Sequence, residues 1–158
     1  TVDNTIHIAD ISIVETACKD IAYENKNYYD NVIKNVARGG RSDGSTEKYK
    51  WFLKLIRDKE IPELGLRNTE IFAYIKGLGH DGIEQGSVTS GLNYLPTLLT
   101  KLGFPAFFDY DSEKKQFYLL DKYMKFVFKW IPEMIDELFN ANQSDLQCDL
   151  SLETMKGQ

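Results

Sequence analysis

The passage VTSGLNYLPTLLTKLGFPAFFDYDSEKKQFYLL, residues 88–120, restricts the fold of this chain more than any other. Leu92, Leu95, Leu99 and Leu102 recur at three- and four-residue intervals, which places them on one face of a helix. Gly103 supplies the stop. Two aromatic-rich runs, FPAFFDY and QFYLL, then flank the polar turn DSEKK and read as a β-hairpin. Pro96 falls inside the helical stretch, where a proline removes one hydrogen bond and costs about 3 kcal/mol in an unkinked helix. The spacing therefore predicts a bend at Leu95 or a late start with Pro96 in the first turn.

The flanking sequence is mostly helical in pattern. Residues 1–11 alternate briefly at Ile6 and Ile8, which suits a short edge strand or an extended arm. Ser12 with Glu15 three residues on is a capping-box signature. Val14, Ala17, Cys18, Ile21, Ala22, Tyr28, Tyr29, Val32, Ile33 and Val36 then keep helical spacing, so one long helix over 13–37 is the simplest reading. Two helices hinged at Asn25–Asn27 are the alternative. GGRSDGST, residues 39–46, is a flexible connector whose spacing fits neither a Walker loop nor a dinucleotide turn. A second helix over 46–60 buries Tyr49, Phe52, Leu53 and Ile56. IPELGL is extended, and residues 68–79 form a third helix capped by Asn68 or Thr69, with Ile71, Phe72, Ile75 and Leu78 inward. After the hairpin, Asp121 caps a helix over 121–130, and Pro132 separates it from a short one, PEMIDELFNAN.

The order helix 46–59, extended segment, helix 69–78, helix 88–102, hairpin 104–120 resembles the winged-helix (winged helix-turn-helix) superfamily. NTEIFAYIKGLG is similar to that family's second helix, VTSGLNYLPTLLTKLGF to its third, and FFDYDSEKKQFYLL to its wing. The resemblance covers residues 46–120. It implies a mainly α fold with a small β-hairpin wing, a winged-helix core carrying a long N-terminal helix and C-terminal helices. The divisions are an arm and accessory helix (1–45), the core (46–120), C-terminal helices (121–141) and an acidic tail (142–158), all one globular unit. Winged helices bind DNA, RNA or other proteins, and some only dimerise, so the resemblance implies a fold and not one activity. The join FYLLDKYMKFVFKW is similar to winged helices attached to P-loop ATPases and to restriction-enzyme recognition regions, although no Walker motif is present in this sequence. The chain departs from the family in its eight-residue turn between second and third helices and in Pro96.

Charge sets the terms for function. The net charge is −5, and residues 46–131 hold thirteen basic and eleven acidic groups, while 132–158 hold one basic and six acidic. Duplex binding draws most of its affinity from phosphate neutralisation, so a surplus of two cations is a weak footprint. The outward positions of helix 88–102 are Thr89, Ser90, Asn93, Tyr94, Thr97, Thr100 and Lys101. Asn93, Thr97 and Lys101 are the candidate DNA contacts there, with Lys76 on the preceding helix, Arg41 on the connector, and Lys114 and Lys115 at the hairpin tip as phosphate anchors. Lys114 and Lys115 equally suit a solvated turn that blunts a hairpin edge. Aromatic residues beyond core needs, namely Tyr28, Tyr29, Tyr123, Phe126 and Trp130, are candidates for a protein interface. A homodimer or a docked protein partner is expected, with double-stranded DNA as the second candidate partner.

Catalysis has little support. His7 and His80 are isolated, and GHDGIEQG offers one imidazole with Asp81 and Glu84, short of a metal site. Cys18 lies on an apolar face without a nearby histidine. No catalytic residue, metal or cofactor is therefore assigned. Two cysteines, Cys18 and Cys148, far apart in sequence, imply no disulfide framework and favour a reducing compartment, nucleus or cytoplasm. No apolar run approaches membrane-spanning length and no signal peptide is visible. The opening TVDN, without Met, suggests a domain of a longer protein or a processed chain. The expected role is a non-enzymatic interaction module in DNA-associated machinery; the alternative is a sequence-specific transcriptional regulator.

Overall fold

The computed structural model describes residues 2–39, 47–79 and 82–140, with side chains from residue 10 onward. The chain is mainly helical with a small antiparallel sheet. The elements are α1 (Val2–Glu24), α2 (Lys26–Arg38), α3 (Lys48–Asp58), β1 (Leu66–Arg67), α4 (Asn68–Gly77), α5 (Gln85–Leu102), β2 (Phe108–Asp111), β3 (Gln116–Leu119), α6 (Lys122–Trp130) and α7 (133–140). The connector over 40–46 and the acidic tail lie outside the described residues, as do His80 and Asp81.

The N-terminal third departs from its sequence pattern. Residues 2–11 are the first turns of α1, not a strand or arm. Ile6, Ala9, Ile13 and Ala17 also repeat at helical intervals, and that longer pattern prevails over the two-residue alternation. Ser12 is consequently interior to α1, where its carbonyl accepts from Thr16 Oγ1 at 2.9 Å, and caps nothing. The helix breaks at Asn25, as the two-helix alternative has it. Asn25 Nδ2 donates to the Ile21 carbonyl at 2.9 Å and to Tyr123 Oη at 2.9 Å. An asparagine offers the backbone this kind of local competitor to the helical ladder. The break redirects the apolar face: Tyr29, Val32, Ile33 and Val36 of α2 are buried, whereas Val14, Ala17, Ile21 and Tyr28, read above as one stripe with them, are exposed.

The core lies between α2, α3, α5, the sheet and α6. Phe52, Leu53, Leu55 and Ile56 of α3, Ile71 and Ile75 of α4, and Val88, Leu92, Leu95, Leu98 and Leu99 of α5 are all buried. Phe72 is half-buried and Leu78 is exposed, since α4 ends at Gly77, one residue before Leu78. Helix α5 continues through Pro96 from a start at Gln85, so the late-start reading does not hold. Thr100 Oγ1 donates to the Pro96 carbonyl at 3.1 Å. At its end Gly103 takes φ 77°, and the N–H groups of Gly103 and Phe104 reach the carbonyls of Thr100 and Leu99. This paired arrangement is a Schellman stop, which a left-handed glycine permits.

The sheet has the order β1-β3-β2, antiparallel throughout. Phe108 faces Leu119 and Asp111 faces Gln116 across the hairpin. Leu66 and Arg67 pair with Phe117 and Gln116, so the extended segment before α4 becomes the third strand. Gly65 makes that approach feasible: it sits at φ 85°, and a Cβ there would lie 2.8 Å from the Phe117 carbonyl oxygen. Phe117 is fully buried between the two outer strands, 5.9 Å centroid to centroid from Phe108.

Polar ties fix the helices to one another. Asp121 caps α6 as expected, its Oδ1 accepting from Tyr123 N and Met124 N at 2.9 and 3.3 Å. Its Oδ2 accepts from Tyr29 Oη of α2 at 3.0 Å. Arg57 of α3 donates to the Pro132 carbonyl and to Asp136 of α7 at 2.9 and 2.7 Å, and to the neighbouring Asp58 at 2.7 Å. Tyr74 of α4 donates to Asp58 at 2.9 Å. Burial alone would raise the Asp58 carboxyl, but the hydrogen bonds from Arg57 and Tyr74 outweigh it and hold the group below its usual range.

Three outcomes check this architecture. Leu95→Ala should cost about 2–5 kcal/mol in urea unfolding, the usual range for a buried leucine, whereas Val14→Ala should stay within about 0.5 kcal/mol. Asp121→Ala removes a cap and strands the Tyr29 hydroxyl, and should cost about 2–4 kcal/mol, more than Tyr29→Phe at about 1 kcal/mol. The lowered Asp58 carboxyl contributes stability that is fully present above the unfolded value of about 3.9 and is lost as pH falls through the folded one. Asp58→Asn should therefore reduce stability at pH 7 by more than it does at pH 2.5, in parallel urea titrations.

Candidate nucleic-acid interface

The hairpin turn and the start of α4 enclose an open groove lined by Arg67, Asn68, Thr69, Lys114, Lys115 and Gln116. Each wall follows from local structure. Asp111 Oδ1 accepts from the N–H groups of Glu113 and Lys114 at 3.0 and 3.1 Å, a side-chain turn of the type aspartate favours. Lys115 then takes a left-handed φ of 55°, which closes the turn. Its carbonyl accepts from Asn68 N at 3.0 Å and anchors the first residue of α4 to the hairpin. Asn68 is buried and its Nδ2 donates to Thr89 Oγ1 of α5 at 3.2 Å. Neither Asn68 nor Thr69 occupies the cap position expected from the sequence. Arg67 does, and Glu70 Oε2 accepts from the Arg67 N–H at 2.9 Å.

Arg67, Lys114 and Lys115 are exposed, and none of them makes an ion pair with a carboxylate among the described residues. The groove thus gathers three cations at the N-terminus of α4, where the helix dipole also favours negative charge, although Glu70 in that first turn offsets part of the effect. Arg67 was not among the residues singled out from the sequence. It reaches the hairpin turn only because β1 pairs with β3 in the register Arg67↔Gln116. The signal in the sequence was Gly65 before two residues of an extended segment, which marks a close approach of two strands.

The remaining candidates divide. Asn93, Thr97 and Lys101 are exposed and share one face of α5 with Ser90, so the helix presents a polar stripe with one cation. Thr89, expected to point outward, is half-buried against Asn68. Tyr94 is also half-buried, with Lys101 Nζ 5.4 Å from its ring centroid. Lys76 is exposed but lies in the last turn of α4, about 12 Å along the axis from the groove. Arg41 falls outside the described residues.

The aromatic candidates for a protein interface divide as well. Tyr29 belongs to the core, 5% exposed, because its hydroxyl is drawn onto the α6 cap; burial first and then the Asp121 hydrogen bond push that hydroxyl above its ordinary range. Tyr28 beside it is 47% exposed and meets Tyr29 edge-on at 5.1 Å. Tyr123, Phe126 and Trp130 form a ladder along α6, with Tyr123 stacked on Phe126 at 5.4 Å. Phe126 and Trp130 are half-buried, and Tyr123 accepts a hydrogen bond from Asn25, the residue between α1 and α2. Tyr123 is thereby tied to the break between α1 and α2. Among the described residues no group of three or more histidine, cysteine or carboxylate side chains converges on a metal-sized site, and no helix is long and apolar enough to cross a membrane.

Charge in the groove is open to direct measurement. Sulfate or inorganic phosphate at 10 mM should shift the backbone amides of Thr69 and Lys114 in NMR spectra, and Arg67→Ala should weaken that response at least threefold.

Compared with models of known families, with curated proteins and with solved structures, the chain matches none.

Proposed function

We propose that this chain is a non-enzymatic interaction module of the winged-helix kind, working in DNA-associated machinery, in which a protein partner supplies most of the affinity and duplex DNA is touched weakly. The element order α3, β1, α4, α5, β2, β3 supports the winged-helix reading. The single observation that carries the DNA contact is the groove holding Arg67, Lys114 and Lys115 together at the N-terminus of α4. Three cations imply few phosphate contacts, and an exposed α5 stripe with one lysine adds little. Binding of this kind is sequence-tolerant and falls steeply with salt. Affinity for random duplex is expected in the range of about 1–100 µM at physiological salt. Most binding in the working complex then comes from a partner, with the groove orienting the duplex.

A second reading, a sequence-specific regulator, is favoured by one observation: Asn93 and Thr97 are exposed side by side on α5, and asparagine pairs well with adenine edges. The two readings separate in one experiment. Duplex titrations at about 50 and 200 mM salt should give a salt slope that falls by about two in Lys114→Glu/Lys115→Glu. Asn93→Ala should leave affinity unchanged for every duplex on the primary reading. A loss of about 1–3 kcal/mol on one preferred sequence alone would support the regulator instead.

A further inference from the structure

Helix α1 spans 23 residues, yet Ala22 is the first buried side chain along it, counting from residue 10. The contacts that hold it lie at its C-terminal end: Tyr23 Oη donates to Glu133 of α7 at 3.0 Å, and the turn after it is tied through Asn25 to Tyr123 of α6. Residues 10–17 are exposed on every side. Helices in proteins draw most of their stability from packing, and this stretch has little of it among the described residues. Ile11, Ile13, Val14, Thr16 and Ile21 are β-branched and lower its intrinsic propensity further. Its exposed length is available to a partner.

One face states the chemistry of that partner. Asp10, Ile13, Val14, Ala17, Asp20, Ile21 and Glu24 recur at three- and four-residue steps, so they lie on one side of the helix, and all are exposed. Ile13 is 65% exposed, Val14 59% and Ile21 44%. Among the described residues Asp10, Asp20 and Glu24 form no ion pair, and Lys19, the cation of this helix, falls on the opposite side. The face thus combines a row of aliphatic side chains with three free carboxylates. A second copy laid along it would set carboxylates against carboxylates. A helix with an apolar stripe and lysine or arginine on its flanks would bury the aliphatics and pair the carboxylates together.

We propose that this face of α1 is the docking site for a basic amphipathic helix of a partner protein. The proposal rests on the reading of the chain as an interaction module and names the chemistry of its partner. The sign of the charges also keeps α1 away from phosphate and leaves the cationic groove for the duplex.

The test uses the full chain with two synthetic helical peptides sharing a leucine stripe, one flanked by lysines and one by glutamates. The lysine-flanked peptide should bind at least tenfold more tightly, and more weakly as salt rises. Ile13→Ser/Val14→Ser should abolish binding, while circular dichroism confirms that the remaining helices are folded. Asp10→Lys/Asp20→Lys/Glu24→Lys should reverse the preference toward the glutamate-flanked peptide. Equal binding of both peptides, or lysine-peptide binding that survives Ile13→Ser/Val14→Ser, overturns the proposal. If light scattering instead reveals a dimer that Ile13→Ser/Val14→Ser dissolves, the occupant is a second copy; this inference then fails while the interaction-module reading stands. Absence of both peptide binding and dimer overturns this inference and leaves the interaction-module reading to the duplex titrations.

Discussion

The arrangement depends on β3 being a central strand. Two strands of four residues are marginal alone in water, and this hairpin is held because α5 packs on β2 while β1 pairs with the free edge of β3. Phe117 is the pivot, fully buried between its two neighbours. The pairing of Arg67 with Gln116, the hydrogen bond from Asn68 N to the Lys115 carbonyl and the tie from Asn68 to Thr89 all follow from that strand order. The start of α4, the hairpin turn and the first turns of α5 are thereby fixed as one corner, and the three groove cations are positioned by strand pairing together with the side-chain bonds of Asp111 and Asn68. Gly65 is the residue on which the corner turns, since any side chain there would collide with the β3 backbone.

Charge divides the molecule into two regions of opposite character. Among the described residues, the groove corner carries Arg67, Lys114 and Lys115 without ionic partners, and α1 carries unpaired carboxylates among exposed aliphatics. Some charges elsewhere are used internally, as in the Arg57–Asp58–Asp136 group joining α3 to α7. Surface pairs such as Lys122–Glu63 contribute little to stability, so the fold does not require the groove or the α1 face to be charged as they are. Residues that the fold does not need are the ones whose pattern reports on partners.

What could be read from the sequence was what short-range periodicity encodes. The leucines of α5, the stop at Gly103, the hairpin around DSEKK, the Asp121 cap and the separate helix after Pro132 are all local signals, and they locate the corresponding elements. What could not be read depended on partners distant in the chain. Tyr28 and Tyr29 are adjacent and equally aromatic, and which one is buried is decided by Asp121, 92 residues downstream of Tyr29. The apolar stripe over 13–37 is continuous on a helical wheel, which cannot register the Asn25 break; before that break Ala22 reaches the core, and after it Tyr29, Val32, Ile33 and Val36 do. Arg67 escaped notice for the same reason, since β1 gains its meaning from a pairing with β3.

The most direct measurement is an NMR titration of the full chain with a short random duplex at low salt, following backbone amides residue by residue. The account requires perturbations gathered at Arg67–Thr69, at 112–116 and along the exposed stripe of α5, with α1 unaffected. Perturbations that fall on α1 or α6 and spare the groove would contradict it, as would nanomolar binding that persists when the salt is raised to 200 mM.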